Sequence, residues 1–175
     1  DSLAIDTVAP TADIIDVTPD PMNGDAGTIT IQFSEDVSGV DVSDFTLNRD
    51  GVNVDLSSAT LTQISGSQYT LAMNGLTDAE GAYALTLNAD GSGIADDAGN
   101  AFTTDATDIW TTDTTAPVAT LSDVADLVNT DAGVITASFS EAVQNLNITD
   151  FILTRDGVNV DLSGATLTQI SATTY

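Results

Sequence analysis

Residues 28–34 read TITIQFS. Polar and apolar side chains alternate along them: Ile29, Ile31 and Phe33 fall on one face, and Thr28, Thr30, Gln32 and Ser34 on the other. A period of two is that of a half-buried strand, because successive Cβ atoms point to opposite faces of a sheet. VITASFS at 134–140 keeps the rule with Ile135, Ala137 and Phe139. DFTL (44–47) directs Phe45 and Leu47 inward, YTLAM (69–73) aligns Tyr69, Leu71 and Met73, and YALTL (83–87) aligns Tyr83, Leu85 and Leu87. Thr and Val fill the runs, and Gly, Asp and Asn punctuate them. No helical period is sustained.

The likeness of residues 28–34 to 134–140 is part of a longer one. RDGVNVDLSSATLTQIS (49–65) returns as RDGVNVDLSGATLTQIS (155–171), with Ser58 replaced by Gly164. The offset is 106 residues; Ser34-Glu35 and Asp44-Phe45 return as Ser140-Glu141 and Asp150-Phe151 at the same spacing. Asp25-Ala26-Gly27 likewise returns as Asp131-Ala132-Gly133. DTVAP (6–10) matches DTTAP (113–117) at one residue more, so a loop between has lost one position. A period this long is a whole domain, not a turn of a solenoid. The expected organisation is a last-strand remnant of a preceding repeat at 1–6, a complete repeat at 7–113 and an incomplete second repeat at 114–175. The second repeat stops at the counterpart of Tyr69 and would expose a core face and a bare sheet edge. A longer chain, or strands supplied by another chain, would complete it.

Strands are predicted at 12–18, 27–34, 44–49, 52–56 joined to 59–65, 68–74, 82–88 and 104–112. About seven strands in roughly 100 residues is the pattern of an immunoglobulin-like sandwich. The expected fold class is therefore all-β, a tandem of immunoglobulin-like β-sandwiches. Tyr83, at the start of the sixth strand, is either a tyrosine corner tying a loop to its strand or a plain core tyrosine. Trp110 belongs to the core or covers the junction. FSEDV (33–37), SDFTL (43–47), QYTLAMNGLTDAEGAYALTL (68–87), GIADDAGNAF (93–102) and DTTAP together resemble the bacterial Ig-like repeats of large surface and secreted proteins. That resemblance spans essentially the whole chain. It implies an extracellular, tandem, often calcium-stabilised rod of the kind found in adhesins and surface layers, without implying a particular ligand.

Composition excludes other functions. There are 27 acidic residues against two cations, Arg49 and Arg155, for a net charge of −25. Nucleic-acid binding requires cations to displace phosphate counterions, and attraction to anionic lipid fails for the same reason. With no His and no Cys, the usual bases, thiol nucleophiles and zinc ligands are missing, and disulfides are impossible. No run approaches the roughly 20 apolar residues of a membrane span. Hydrophobic residues at 42% suffice for a packed core.

The acids are almost all Asp, with Glu only at Glu35, Glu80 and Glu141. Asp suits turns, where its short side chain bonds nearby backbone, and hard-cation sites, where carboxylate oxygens surround Ca²⁺. In such a sandwich the entering segment and the second-to-third and sixth-to-seventh strand loops meet at one pole. That pole would gather Asp6, Glu35, Asp97 and Asn100, with Asp96 as a substitute for Asp97. Carboxylates held that close repel unless a cation neutralises them, and Ca²⁺ takes about six to eight oxygens. Calcium is the expected cofactor. The opposite pole would present Asp25 and Asp78 beside Asn23, Asp50 and Glu80, with Asp113 and Glu141 across the junction as further ligands. The competing reading of all these acids is solvated turn residues.

RDG at 49–51 reads as a hairpin turn in which Gly supplies positive φ. Asn147-Ile148-Thr149 fits a glycosylation sequon, but its counterpart is Asp41, which makes the match a coincidence. Asp96-Asp97 could in principle serve glycoside hydrolysis, yet no aromatic sugar platform accompanies them, and no enzyme activity is expected. The expected function is a structural segment of an extracellular surface protein, stalk or filament, rigidified by Ca²⁺. Its partners would be neighbouring repeats, or other copies in a filament or layer. A carbohydrate- or ligand-binding module and an accessory domain of a secreted enzyme are the alternatives.

Overall fold

The period-two stretches form strands β1 (Ala12–Ile14), β2 (Thr28–Phe33), β3 (Val37–Ser38), β4 (Phe45–Arg49) and β5 (Val52–Val54). They continue with β6 (Thr60–Gln63), β7 (Gln68–Ala72), β8 (Gly81–Leu87), β9 (Ala95–Asp96) and β10 (Ala106–Thr112). The computed structural model describes residues 5–124 and 133–175. Two compact units emerge, Asp1–Thr115 and Ala116–Tyr175. Of the expected remnant strand at 1–6, residues 1–4 lie outside the described residues, as does the Asp131-Ala132 pair.

In the first unit one antiparallel sheet has the order β1-β2-β7-β6 and the other β10-β8-β4-β5. The two inner faces supply one core. Ile14, Ile31, Phe33 and Leu71 come from the first sheet, and Leu47, Leu85, Leu87 and Trp110 from the second, each no more than 2% exposed. This is an immunoglobulin-like sandwich, as the alternation predicts. Phe33 packs edge-on against Tyr69 and Phe102, at 5.8 and 5.9 Å between ring centres. Tyr83 stacks on Trp110 at 5.4 Å. Trp110 is thus a core residue, and its Nε1 is the one buried side-chain polar atom with no hydrogen-bond partner among the described residues. Tyr83 combines both readings offered for it: its ring is buried, and its hydroxyl donates to the carbonyl of Ala79 at 2.8 Å, the tie of a tyrosine corner.

Two details depart from the expected strands. Residues 52–65 are not one strand in two parts. β5 pairs with β4 and β6 with β7, so the chain crosses from one sheet to the other between them. The crossing is a turn closed by Asp55, whose carboxylate accepts from Ser57 N and Oγ, both at 2.9 Å. Such local side-chain bonds compete with a sheet ladder and end the strand. The second departure is the short antiparallel ribbon β3–β9, which pairs Val37 with Asp96 and Ser38 with Ala95. Two residues are too few for a periodic signal.

The β4–β5 hairpin turns at Asp50 and Gly51, with φ of 51° and 78°, the left-handed pair that a tight hairpin requires. In the second unit Asp156 and Gly157 repeat it at 53° and 78°. That unit contains β11 (Ala119–Leu121) paired with β12 (Ala137–Phe139), and β13 (Leu153–Arg155) paired with β14 (Val158–Val160). Its Tyr175 hydroxyl donates to Val143 O at 3.1 Å, matching Tyr69 on Val37 O at 2.9 Å. No helix among the described residues is long and apolar enough to cross a membrane.

Candidate metal centre

The β3–β9 ribbon positions the acidic pole. Glu35 lies two residues before β3, and Asp96 is the last residue of β9, so pairing Val37 with Asp96 draws the two loops together. Tyr69 anchors β3 from the core side through its bond to Val37 O. Asp6 comes from the entering segment. One carboxylate oxygen from each of Asp6, Glu35 and Asp96 lies within 4.8 Å of the others. Among the described residues this is the one such acidic triad.

The three carboxylates differ in their surroundings. Asp96 is 6% exposed and well supplied with donors. Asn100 Nδ2 donates to its Oδ2 and Asn100 N to its Oδ1, both at 2.7 Å. These bonds, led by the Asn100 amide, hold its pKa below the usual carboxylate value. Asn100 Nδ2 also donates to the backbone carbonyl of Asp6 at 3.3 Å, tying the entering segment to the sixth-to-seventh strand loop. Asp6 Oδ1 accepts from Val8 N at 3.0 Å. Glu35 is shifted in the opposite direction. Its pKa is raised by loss of solvent first, then by the negative charges of Asp6 and Asp96.

The structure brings Asp6, Glu35, Asp96 and Asn100 to one place. Asp97 is not in the group: it is exposed in the turn that follows β9. Alternation decides between the two neighbours, because Ile94 and Asp96 share the buried parity of the ribbon and Asp97 does not. At the other end of the first unit, Asp25 is a loop staple. Its carboxylate accepts from Gly75 N at 2.9 Å, Thr77 N at 3.3 Å and the Thr77 hydroxyl. Burial alone would raise its pKa, but the Thr77, Gly75 and Gly27 bonds outweigh it and the net shift is downward. Asp78 is exposed. Asp113 is half-buried and accepts from Thr115 N at 3.0 Å, the same turn that Asp6 makes with Val8. Glu80 accepts from the Thr115 hydroxyl at 2.5 Å. Glu141 is half-buried in the second unit, at the position corresponding to Glu35.

Two buried acids, Asp44 and Asp108, escaped the sequence reading. Asp108 is 7% exposed on β10, its Oδ2 accepting from Val17 N at 3.0 Å. Burial raises its pKa, and the charges of Asp16 and Asp20 add to that, against the Val17 and Ile109 backbone bonds. Its inward parity with Ala106 and Trp110 was the available signal.

A family model described as a bacterial Ig-like domain matches residues 3–114. No curated protein matches the chain. Among solved structures, the crystal structure of the N-terminal part of the bacterial S-layer protein SbsC is similar at 13% identity and a TM-score of 0.40. The alignment covers 94% of this chain and 42% of that one, so the chain spans less than half of its length.

Proposed function

The chain belongs to the bacterial Ig-like domain family, and from that premise we propose that it is a structural tandem-repeat segment of an extracellular bacterial surface protein, with Ca²⁺ stiffening the poles of its domains. The observation that carries the reading is the meeting of Asp6, Glu35 and Asp96. Glu35 and Asp96 belong to loops of the sandwich, whereas Asp6 belongs to the segment that leads into it. A cation held by all three fixes how the chain enters the domain. Asn100 is already bonded to both Asp6 and Asp96; turning its amide over would offer a further oxygen. Hard carboxylate and carbonyl oxygens with no sulfur or imidazole are the donor set of Ca²⁺. Asp113 and Glu141 are the sequence counterparts of Asp6 and Glu35.

Near-identical copies suit this role. A spacer gains length by duplication and has no unique site to preserve, which accounts for the copied seventeen residues. Ion binding confined to the folded state stabilises it by mass action. Calcium titration by calorimetry, read together with thermal melting, tests the reading. Calcium should bind the first unit, and EDTA should lower its melting temperature by several degrees; at 100 times the dissociation constant, bound ligand contributes about 2.7 kcal/mol. Equal melting with calcium and with EDTA would remove the metal from the proposal.

A further inference from the structure

The two copies of the repeat do not differ evenly. Residues 25–48 and their counterparts 131–154 differ at 12 of 24 positions, whereas 49–65 and 155–171 differ at one of 17. Burial runs the other way. Ile31 is fully buried on β2, yet its counterpart is Ala137; Ile14 is 2% exposed, and its counterpart is Leu121. In the copied stretch Leu56 is the one buried residue, and Val52 and Ile64 are 70% and 57% exposed. Packing alone predicts the reverse, because a change at a buried position disturbs the core, whereas one at an exposed position usually costs little. Duplication supplies the copies. The placement of their differences points to something outside the sandwich that reads this stretch.

The copied stretch makes one side of the first unit. β5 ends the sheet β10-β8-β4-β5, β6 ends the sheet β1-β2-β7-β6, and the Asp55–Ser57 turn joins them. The opposite side, at β1 and β10, is closed by the segment between β1 and β2. Asp20 Oδ1 accepts from Thr111 N at 2.9 Å, Met22 N donates to Thr111 O at 2.9 Å, and Val17 N donates to Asp108 on β10. Among the described residues nothing comparable closes β5 or β6. The phase of β6 along β7 is set by Ile64 N, which donates to Gln68 O at 2.8 Å. Alternation along that ladder turns the N–H and C=O of Leu61 and Gln63 away from β7, to the open edge.

Open edges of this kind are templates for pairing, and charged side chains ordinarily guard them. β6 has no such guard. No residue from 56 to 77 is charged, in a chain of net charge −25, and the counterpart stretch at 162–175 is uncharged as well. Two copies of this chain repel overall, and this side is where they can approach without opposing carboxylates. A partner that carries the same stretch at the same interval of 106 residues also gains by engaging several sites at once.

We propose that the β5–β6 side is an interface between copies of this chain, in which β6 adds antiparallel to β6 of a second copy about a two-fold axis at Thr62. Leu61 of each copy exchanges backbone bonds with Gln63 of the other, and two four-stranded sheets become one. On the outer face Thr62 meets Thr62, and Ile64 is covered by Thr60 of the second copy. The pairing draws on the tandem-repeat reading for its recurrence along an array, and it needs no calcium.

The test follows amide exchange at Leu61 and Gln63 in the 175-residue chain, in EDTA so that the outcome is independent of the calcium reading. Raising the protein from micromolar to millimolar concentration should slow both amides roughly threefold or more. Thr62→Asp together with Thr168→Asp sets carboxylates face to face at the axis and should abolish the slowing. Thr107→Asp together with Ile109→Asp adds the same charge on β10 and should preserve it. Wild-type exchange at Leu61 and Gln63 that is indifferent to concentration would overturn the proposal and leave the edge to a partner other than this chain. Undiminished slowing in the Thr62→Asp form would overturn it too. The wild-type measurement needs no variant, so it decides the matter even where a substitution unfolds the domain.

Discussion

Asp36 and Gly66 illustrate how side chains at the acidic pole are matched one to one. A Cβ at Gly66 would run into the carboxylate of Asp36, although the backbone there is not in a glycine-only conformation. Both positions change together in the second unit, to Ala142 and Ala172, while the backbone bond they flank is kept, Val37 N to Gly66 O at 3.0 Å and Val143 N to Ala172 O at 3.1 Å. A methyl group on one side is compensated by removal of a carboxylate on the other. Gly66→Ala alone should therefore destabilise, and Asp36→Ala should rescue it, with a coupling of about 0.5–1 kcal/mol in a double-mutant cycle followed by urea denaturation. Additive effects would show that the pair is not coupled.

Glu35 makes an opposite-signed contribution from its neighbour Asp96. Its folded pKa is raised, so the folded chain binds more protons between the unfolded and folded values, and its contribution to stability falls as pH rises through that window. Asp96 is depressed, so its contribution is present above the unfolded value and is lost as pH falls through the folded one. Glu35→Gln removes a repelled charge. In EDTA at neutral pH it should melt at or above the wild-type temperature; in calcium it should lose most of the gain that the wild type shows. Equal calcium stabilisation of the variant and the wild type would exclude Glu35 as a ligand.

At the scale of elements, what could be read from residues depended on length. Strands β2, β7, β8 and β10 span five to seven residues, and their alternation translates directly into burial. The pole was legible too, because the sandwich topology alone gathers Asp6, Glu35 and the sixth-to-seventh strand loop. The choice of Asp96 over Asp97 was not. It rests on β9, a strand of two residues whose partner β3 is equally short. The sheet crossing at Asp55–Ser57 was hidden for a different reason. Val52, Val54 and Leu56 alternate as a strand would, and only the bonds from Ser57 to Asp55 break the run. At the crossing, short-range side-chain bonding overrides periodicity.

For the whole molecule, charge sets the terms. At −25 over 175 residues, neighbouring acidic surfaces repel, more strongly at low salt than at physiological ionic strength. If calcium stiffens the series, small-angle scattering should give different dimensions with calcium and with chelator, and added monovalent salt at matched ionic strength should not reproduce the calcium state. Identical scattering in all conditions would leave the domains as spacers whose arrangement is indifferent to the ion.

The stacked pair Tyr83 and Trp110 gives the molecule an optical asymmetry. The chain has one tryptophan, and it is sealed 2% exposed inside the first unit against a parallel ring. The second unit has Tyr175 as its one tyrosine and no indole. Emission excited at the red edge of the indole band therefore follows the first unit alone, and the colour of the protein's fluorescence separates the opening of one half from events in the other without any added label.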